Sequence, residues 1–366
     1  MPEFDGHLAI DMENNPKTMI DRRRSVTKKF KILITGGNGF LGQQLAAALL
    51  QPTNELKFDE LILVDIFKPM SPIKDDRVRC LVFDLTRSQS YDELFHTNID
   101  IIFHLAAVVS GQAEKDMELG HKVNVEATHL ILEAIRQRNR PLTRLVFASS
   151  CAVYSWPQSC LDRDIDERTQ VLPHCTYGYQ KAISEHLISD YTRRGYIDGR
   201  ILRLPTITVR PGVANQAVTS FVSGIIREPL NGVVAKCPVN PTTRVWISSP
   251  EVVIKNFIHA ARLPALAFGV HTLVNLPGIT VSVDDMVSAL AVIAGKETAE
   301  LIRFEYNEDI DRIVSSLSVT YDVTRALNLG FSRDTDVSHI IHNYMDSELT
   351  DTDSSSDDTT DEDSDN

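Results

Sequence analysis

The chain is expected to fold as an α/β protein with a doubly wound parallel sheet and a smaller C-terminal substrate-binding region. Three observations carry this expectation. Residues 29–50, KFKILITGGNGFLGQQLAAALL, combine a short apolar run, a glycine turn and an amphipathic segment. A second apolar run, ELILVD at 60–65, ends on the acidic Asp65. Apolar runs of strand length then alternate with segments of helix length as far as Pro205. Strands that alternate with helices pair in parallel and are covered on both faces.

The elements follow in order. The first strand meets its turn at Gly36, and Leu41, Leu45, Ala48 and Leu49 continue at helical spacing. Further strands are expected at VRCLVFDL (78–85), DIIFHLAA (100–107), RLVFASS (144–150) and GRILRLP (199–205). A long helix near 113–138 places Leu119, Val123, Ala127, Ile131 and Ala134 along one side. The next helix carries YGYQK and ends near RRG at 193–195. Right-handed crossovers make the whole a Rossmann-type core. Beyond Pro205 the pattern loosens, with prolines and glycines crowding 205–241. Short apolar segments recur at 217–226, 251–263, 270–276 and 283–294, and a return of some to the main sheet is left open. The expected organisation is a flexible arm at 1–29, a dinucleotide-binding domain at 30–205, a mainly substrate-binding region at 206–345 and a disordered acidic tail at 346–366.

Composition narrows the class. With 366 residues, 43% of them hydrophobic, the chain supplies a core for one large or two medium domains. No apolar run reaches membrane-spanning length. The first residues, MPEFDGHLAIDMENNPK, lack the apolar core of a secretion signal. The basic stretch DRRRSVTKKFK (21–31) runs straight into an apolar strand and reads as a solvated arm, so neither a nucleic-acid nor a membrane partner is expected. Five cysteines, an odd number with no Cys-x-x-Cys, argue against a disulfide framework or structural zinc and fit a reducing cytoplasm. Cys151 reads as a small buried residue. The net charge of −13 is concentrated: residues 346–366 hold ten acidic residues and no basic one, which leaves −3 on the rest.

The motifs carry the chemistry. TGGNGFLG spaces Gly36, Gly39 and Gly42 three apart, with Phe40 and Leu41 opening a helix. Such glycines allow a tight turn and a close approach of backbone to a pyrophosphate, which the helix N-terminus also attracts. Asp65, at the next strand end, is placed to accept hydrogen bonds from an adenosine ribose and to repel a 2′-phosphate. NAD is therefore expected as cofactor. In HCTYGYQKAISE (174–185), Tyr177 and Lys181 lie four apart and share a helix face, whereas Tyr179 does not. An ammonium beside a phenol favours the phenolate, so Tyr177 is a candidate proton donor or acceptor. FASSCAVYS ends a strand at the ligand edge, where Ser149 and Ser150 compete as its partner. His104 reads as a packed histidine. His121, His129 and His186 lack a second ligand at metal spacing, so no metal is expected. Trp156 and Trp246 read as core or rim.

TGGNGFLG, HLAA, SSCAVY and YGYQK, in this order, resemble the extended short-chain dehydrogenase/reductase family of the NAD-dependent epimerase/dehydratase superfamily, over residues 30–345. The resemblance implies Tyr177 and Lys181 as the catalytic pair with Ser150 as their partner. It also implies adenine contacts from Asp84 and Leu85, a cofactor wall from Leu105, Ala106 and Ala107, Asn124 near the active site, Pro205 beside the nicotinamide, and a possible homodimer. VVSGQAEKDMELGHKVN (108–124), DGRILRLPTITVRPG (198–212), FVSGIIREPLNG (221–232) and TRVWISSP (243–250) resemble, more narrowly, D-erythronate dehydrogenases. That likeness implies oxidation of the C2 hydroxyl of a four-carbon sugar acid to the 2-oxo acid. Epimerases of the wider family carry RDF where this chain has Arg244 followed by Val245, so their aspartate is missing. Arg210 and Arg244 are candidates for a substrate carboxylate, which a guanidinium matches in a fork. Ser110, Ser150 and Thr206 are candidates for substrate hydroxyls. The competing readings are a nucleotide-sugar epimerase or dehydratase with tightly held NAD, a reductase of a specialised biosynthetic pathway, and a non-catalytic dinucleotide-binding protein.

Overall fold

The computed structural model describes residues 29–354, apart from 88–90, 96, 139–141, 156–163, 213–216 and 270–271, and side chains only as far as Ser347. The expected N-terminal arm up to residue 28, Trp156, Cys160 and the tail from 355 onward lie outside the described residues.

The six expected strands form as β1 (Phe30–Thr35), β2 (Phe58–Asp65), β3 (Val78–Val82), β4 (Ile101–His104), β5 (Thr143–Ser150) and β6 (Ile197–Leu204). The later part of the chain adds β7 (Thr206–Ile207), β8 (Ala235–Cys237), β9 (Arg244–Ser248), β10 (Leu273–Asn275), β11 (Ile279–Ser282) and β12 (Ile302–Phe304). The principal helices are α1 (Phe40–Leu50), α2 (Ala127–Gln137), α3 (Thr176–Arg193), α4 (Phe221–Leu230), α5 (Pro250–Arg262), α6 (Val283–Ala294) and α7 (Val337–Ser354).

The main sheet has seven strands in the order β10-β6-β5-β4-β1-β2-β3, and every pairing is parallel. The chain leaves β1 in one direction to build β2 and β3 and returns to its other side to build β4, β5 and β6. Segment 270–276 does rejoin this sheet: β10 pairs with Ile201–Arg203 and covers the hydrogen-bonding edge that β6 would otherwise expose.

Alternation along β1 separates two cores. Ile32 and Ile34 pack with Leu45 and Leu49 of α1 and with Val253 and Phe257 of α5. Leu33 points the other way, into a core shared with Ile131 of α2 and Ile188 of α3. A third core fills the C-terminal region. It joins Val222 and Ile225 of α4, Met286 and Leu290 of α6, and Ile340 and Ile341 of α7. Local signals set the helix starts. Ser249 caps α5 just before Pro250, and Ser282 and Asp285 close a reciprocal capping box on α6.

Three expectations change. The single helix near 113–138 is instead two short helices, Ser110–Lys115 and Met117–His121, a π-turn at Lys122–Glu126, and then α2. The Asp116 carboxylate starts the second piece by accepting the Leu119 amide at 2.9 Å. The third and fourth strands end sooner than their apolar runs, because Phe83–Leu85 and Leu105–Ala107 turn away to line the crevice at the sheet edge. Finally, α7 continues to Ser354, so the first part of the segment read as a disordered tail is helical.

His104 is the packed histidine expected. It is fully buried, bonded to the hydroxyls of Thr35 at 2.7 Å and Thr128 at 2.9 Å. Burial, and after it the nearby Lys181, holds its pKa down at about 3. Between that value and the ordinary 6.5 the unfolded chain binds a proton that the folded chain does not. Stability is therefore withdrawn as pH falls through this window, by up to about 1.4 kcal/mol per pH unit. His104→Asn removes the titrating group. Its thermal midpoint should fall less than that of the natural protein between neutral pH and about pH 4, as followed by circular dichroism.

Candidate active site

The glycine turn is built to keep backbone exposed. Gly36 has φ +72°, and a Cβ there would sit 2.9 Å from the Ala106 nitrogen. A Cβ on Gly42 would sit 2.1 Å from the Gly36 oxygen, so only glycine lets α1 approach the turn. Gly39 starts α1 with no side-chain cap and no acidic residue in the first turn. The helix N-terminus thus keeps N–H groups and a positive end for an anion. Phe40 and Leu41 follow in the same wall.

From this turn a cavity of about 700 Å³ runs along the C-terminal edge of the main sheet. At one end stands Asp65, whose carboxylate accepts the amides of Asn38 at 3.1 Å and Phe67 at 3.3 Å. Asp84, Leu85, Leu105, Ala106, Ala107 and Pro205 line the path. Asn124 does not. It is buried, and its side chain is spent on Val108 (2.8 Å to the amide, 3.0 Å to the carbonyl) and on Gln180 at 2.7 Å. It fixes the chain beside Val109 and Ser110 from behind.

The far end gathers the candidate catalytic groups. Thr176–Arg193 presents Tyr177 and Lys181 on one face, while Tyr179 is 53% exposed on another. Ser150 is close enough to the Tyr177 phenol to lower its proton affinity, and its own oxygen accepts the Ala152 amide at 3.1 Å. Ser149 donates instead to Glu185 at 2.5 Å, so the two serines divide between phenol and carboxylate. The expected electrostatics are redistributed. Lys181 turns its ammonium to the Ala148 carbonyl at 2.9 Å and lies 5.6 Å from the Tyr177 ring centre. Burial pushes Tyr177 up to about 12, and the cation that pulls it back is Arg210, aided by the Ser150 hydroxyl. Burial pulls Lys181 down to about 7, against the charge of Glu185.

Ser110, Thr206, Arg210 and Arg244 all line the same cavity. The two arginines differ. Arg210 is largely buried, bonds the Ile207 carbonyl at 3.1 Å, and pairs with no carboxylate among the described residues. Arg244 is exposed and its charge acts on Asp285. Trp246 proves to be both core and cavity wall, stacked on Tyr321 with ring centres 4.8 Å apart. Tyr321 and Ser318 were not anticipated, since no motif surrounds them and only packing brings them here, whereas Gln112 was within reach of the sequence because it stands two residues after Ser110 in the 108–124 stretch. Phe67, 69% exposed beside Asp65 at the cavity's other end, was findable from its place after the strand. Among the described residues no group of three potential metal ligands occurs, and no helix is long and apolar enough to cross a membrane.

Fold and site together define a class: a dinucleotide-dependent oxidoreductase whose cavity brings two hydroxyls and an ammonium together. Residues 32–249 match the model of the NAD dependent epimerase/dehydratase family. The chain is 46% identical to a D-erythronate dehydrogenase of Haemophilus influenzae, over 87% of this chain and 100% of that one. It is 42% identical to a D-erythronate dehydrogenase of Cupriavidus necator, over 86% and 97%. A solved structure described as the nucleoside-diphosphate-sugar epimerase from Agrobacterium tumefaciens superposes with a TM-score of 0.82 at 35% identity, covering 88% of this chain and 96% of that one. The chain belongs to the NAD dependent epimerase/dehydratase family. It is an NAD-dependent dehydrogenase of the extended short-chain type.

The cradle gives a direct test. Gly42→Ala should fold, because the clash is confined to the turn, yet raise the dissociation constant for NAD at least about tenfold by titration calorimetry.

Proposed function

We propose that the protein oxidises the C2 hydroxyl of D-erythronate, or a closely similar small sugar acid, to the 2-oxo acid. The observation that carries this reading is Arg210: a buried guanidinium without a carboxylate partner among the described residues, close enough to act on the Tyr177 phenol. A substrate that brings its own carboxylate beside a reacting hydroxyl satisfies both groups. The two relatives named D-erythronate dehydrogenases support the same choice.

NAD, when bound, supplies the hydride acceptor. The glycine turn from Gly36 to Gly42 would hold its pyrophosphate, Asp65 its adenosine ribose, and Lys181 the ribose at the nicotinamide end. The protein handles the proton. Ser150 donates a hydrogen bond to the substrate oxygen and orients it. Tyr177, as phenolate, takes the hydroxyl proton at its Oη. Arg210 favours that phenolate, against the burial that opposes it. Trp246 and Tyr321 wall the substrate end and keep water from it.

The free cysteines Cys80, Cys151, Cys175 and Cys237 support a reducing, cytoplasmic setting. Exposed Tyr179 and Ile183 on α3 support a second copy of the chain docking on that helix as a homodimer.

A second reading, a nucleotide-sugar epimerase with retained NAD, is favoured by the 35% identical solved structure. NADH formation decides between them. With D-erythronate and NAD, absorbance should rise, and with NADP it should rise far more slowly. No turnover of any four-carbon sugar acid, with NAD retained on the purified protein, would move the assignment to the epimerase. Tyr177→Phe should lower turnover by about 10²–10⁴-fold with NAD affinity unchanged in the same calorimetric assay. Arg210→Met should raise KM for the acid at least about tenfold, since a charge-assisted fork is lost. A KM equal to the natural value would remove Arg210 from the substrate site.

A further inference from the structure

Tyr177, Lys181 and Glu185 stand four apart on α3, so they share one face. Three consecutive residues at the end of β5 meet them. The Ala148 carbonyl accepts from Lys181 at 2.9 Å, Ser149 donates to Glu185 at 2.5 Å, and Ser150 faces Tyr177. Glu185 is buried, and Arg203 grips it from β6. The guanidinium donates to one carboxylate oxygen at 2.9 Å and to the other at 2.5 Å. Arg203 also reaches the Tyr154 hydroxyl, which lies 3.3 Å from the Asn275 side-chain oxygen.

We propose that Glu185 is a positioning residue for the catalytic groups. Its carboxylate clamps β5 to α3 through Ser149, which sets Ser150 against Tyr177, and it supplies the negative charge that keeps the buried Lys181 ammonium protonated. The proposal rests on the dehydrogenase reading above only for the reaction that the clamp serves. A slip of the strand along the helix would break the Lys181 and Ser149 bonds together, leaving buried polar groups unpaired.

The charges around Lys181 support the second role. His104 faces it from β4 and is neutral at working pH. From β5 come the Ala148 carbonyl at 2.9 Å and the Phe147 ring at 4.7 Å from the ammonium, and neither carries a charge. Tyr177 lies one turn back on α3, with Cys175 and Arg210 acting on it rather than on Lys181. Arg203 on β6 is neutralised by Glu185 itself. Glu185 is the group whose charge opposes the burial of Lys181.

The test separates clamp from charge. With ¹³Cε-labelled lysine, NMR follows the Lys181 titration, and the spectrum of Lys181→Arg assigns its resonance. The natural protein should titrate at about 7. In Glu185→Gln the midpoint should fall by about one unit. If the unpaired Arg203 prevents folding, Glu185→Gln combined with Arg203→Gln removes both charges and should shift in the same direction. A folded variant with an unmoved midpoint overturns the charge role. Ser149→Ala leaves the Glu185–Arg203 pair in place. It should lower kcat about tenfold with KM and thermal midpoint unchanged, and Ser149→Thr, which keeps the hydroxyl, should recover it. Natural kcat in Ser149→Ala overturns the clamp. Failure of the natural protein to oxidise D-erythronate would count against the functional reading alone, because the lysine titration needs no turnover.

Discussion

The central place of β1 is the constraint on which the rest depends. Because every strand of the main sheet runs the same way, all C-terminal ends open on one edge. Because the chain diverges from β1 to either side, the connections there part and leave a crevice at the switch point. Gly36, Asp65, Leu105, Ser150 and Pro205 come from five different strand ends and reach one cavity for this reason alone. Covering both sheet faces with helices then fixes where α3 lies, and so where Tyr177 and Lys181 stand.

The second constraint is charge in a dry place. Lys181, Glu185, Arg203 and His104 are all buried within the same layer. Removing one partner of a buried ion pair costs about 3–5 kcal/mol, because the other is left unpaired. The layer avoids this with a forked Glu185–Arg203 pair, a neutral histidine held by two threonine hydroxyls, and a lysine bonded to a carbonyl. The same burial moves Tyr177 and Lys181 apart on the pH scale, the phenol up to about 12 and the ammonium down to about 7, because each loses its charged form to the dry surroundings.

The C-terminal region completes what the sheet edge begins. β7 continues directly from β6 and pairs with β9, which carries Arg244 and Trp246 across the mouth of the cavity. Tyr321 comes from much later in the chain and stacks on that tryptophan. Ser150, Tyr177 and Lys181 therefore belong to the first part of the chain, and the second part adds walls to the same cavity.

What was legible in the residues is what short-range geometry encodes. Gly36, Gly39 and Gly42 declare a turn because backbone conformation is a local property, and Tyr177 and Lys181 declare a shared face because four residues make about one helical turn. Asp65 was readable because strand alternation is local too. Three things were not. The division between Ser149 and Ser150 depended on which side of β5 the catalytic helix covers, and the resemblance to a known family supplied the answer before the structure gave its reason. The cation acting on Tyr177 is Arg210, which lies 33 positions away and enters from another element. Asn124 was placed near the chemistry, yet its amide is consumed by Val108 and Gln180, partners that only the packing of the π-turn against α3 could name. Spacing determines which side chains share a face. Which face is buried, and beside which charge, is decided only when distant segments meet and exclude water.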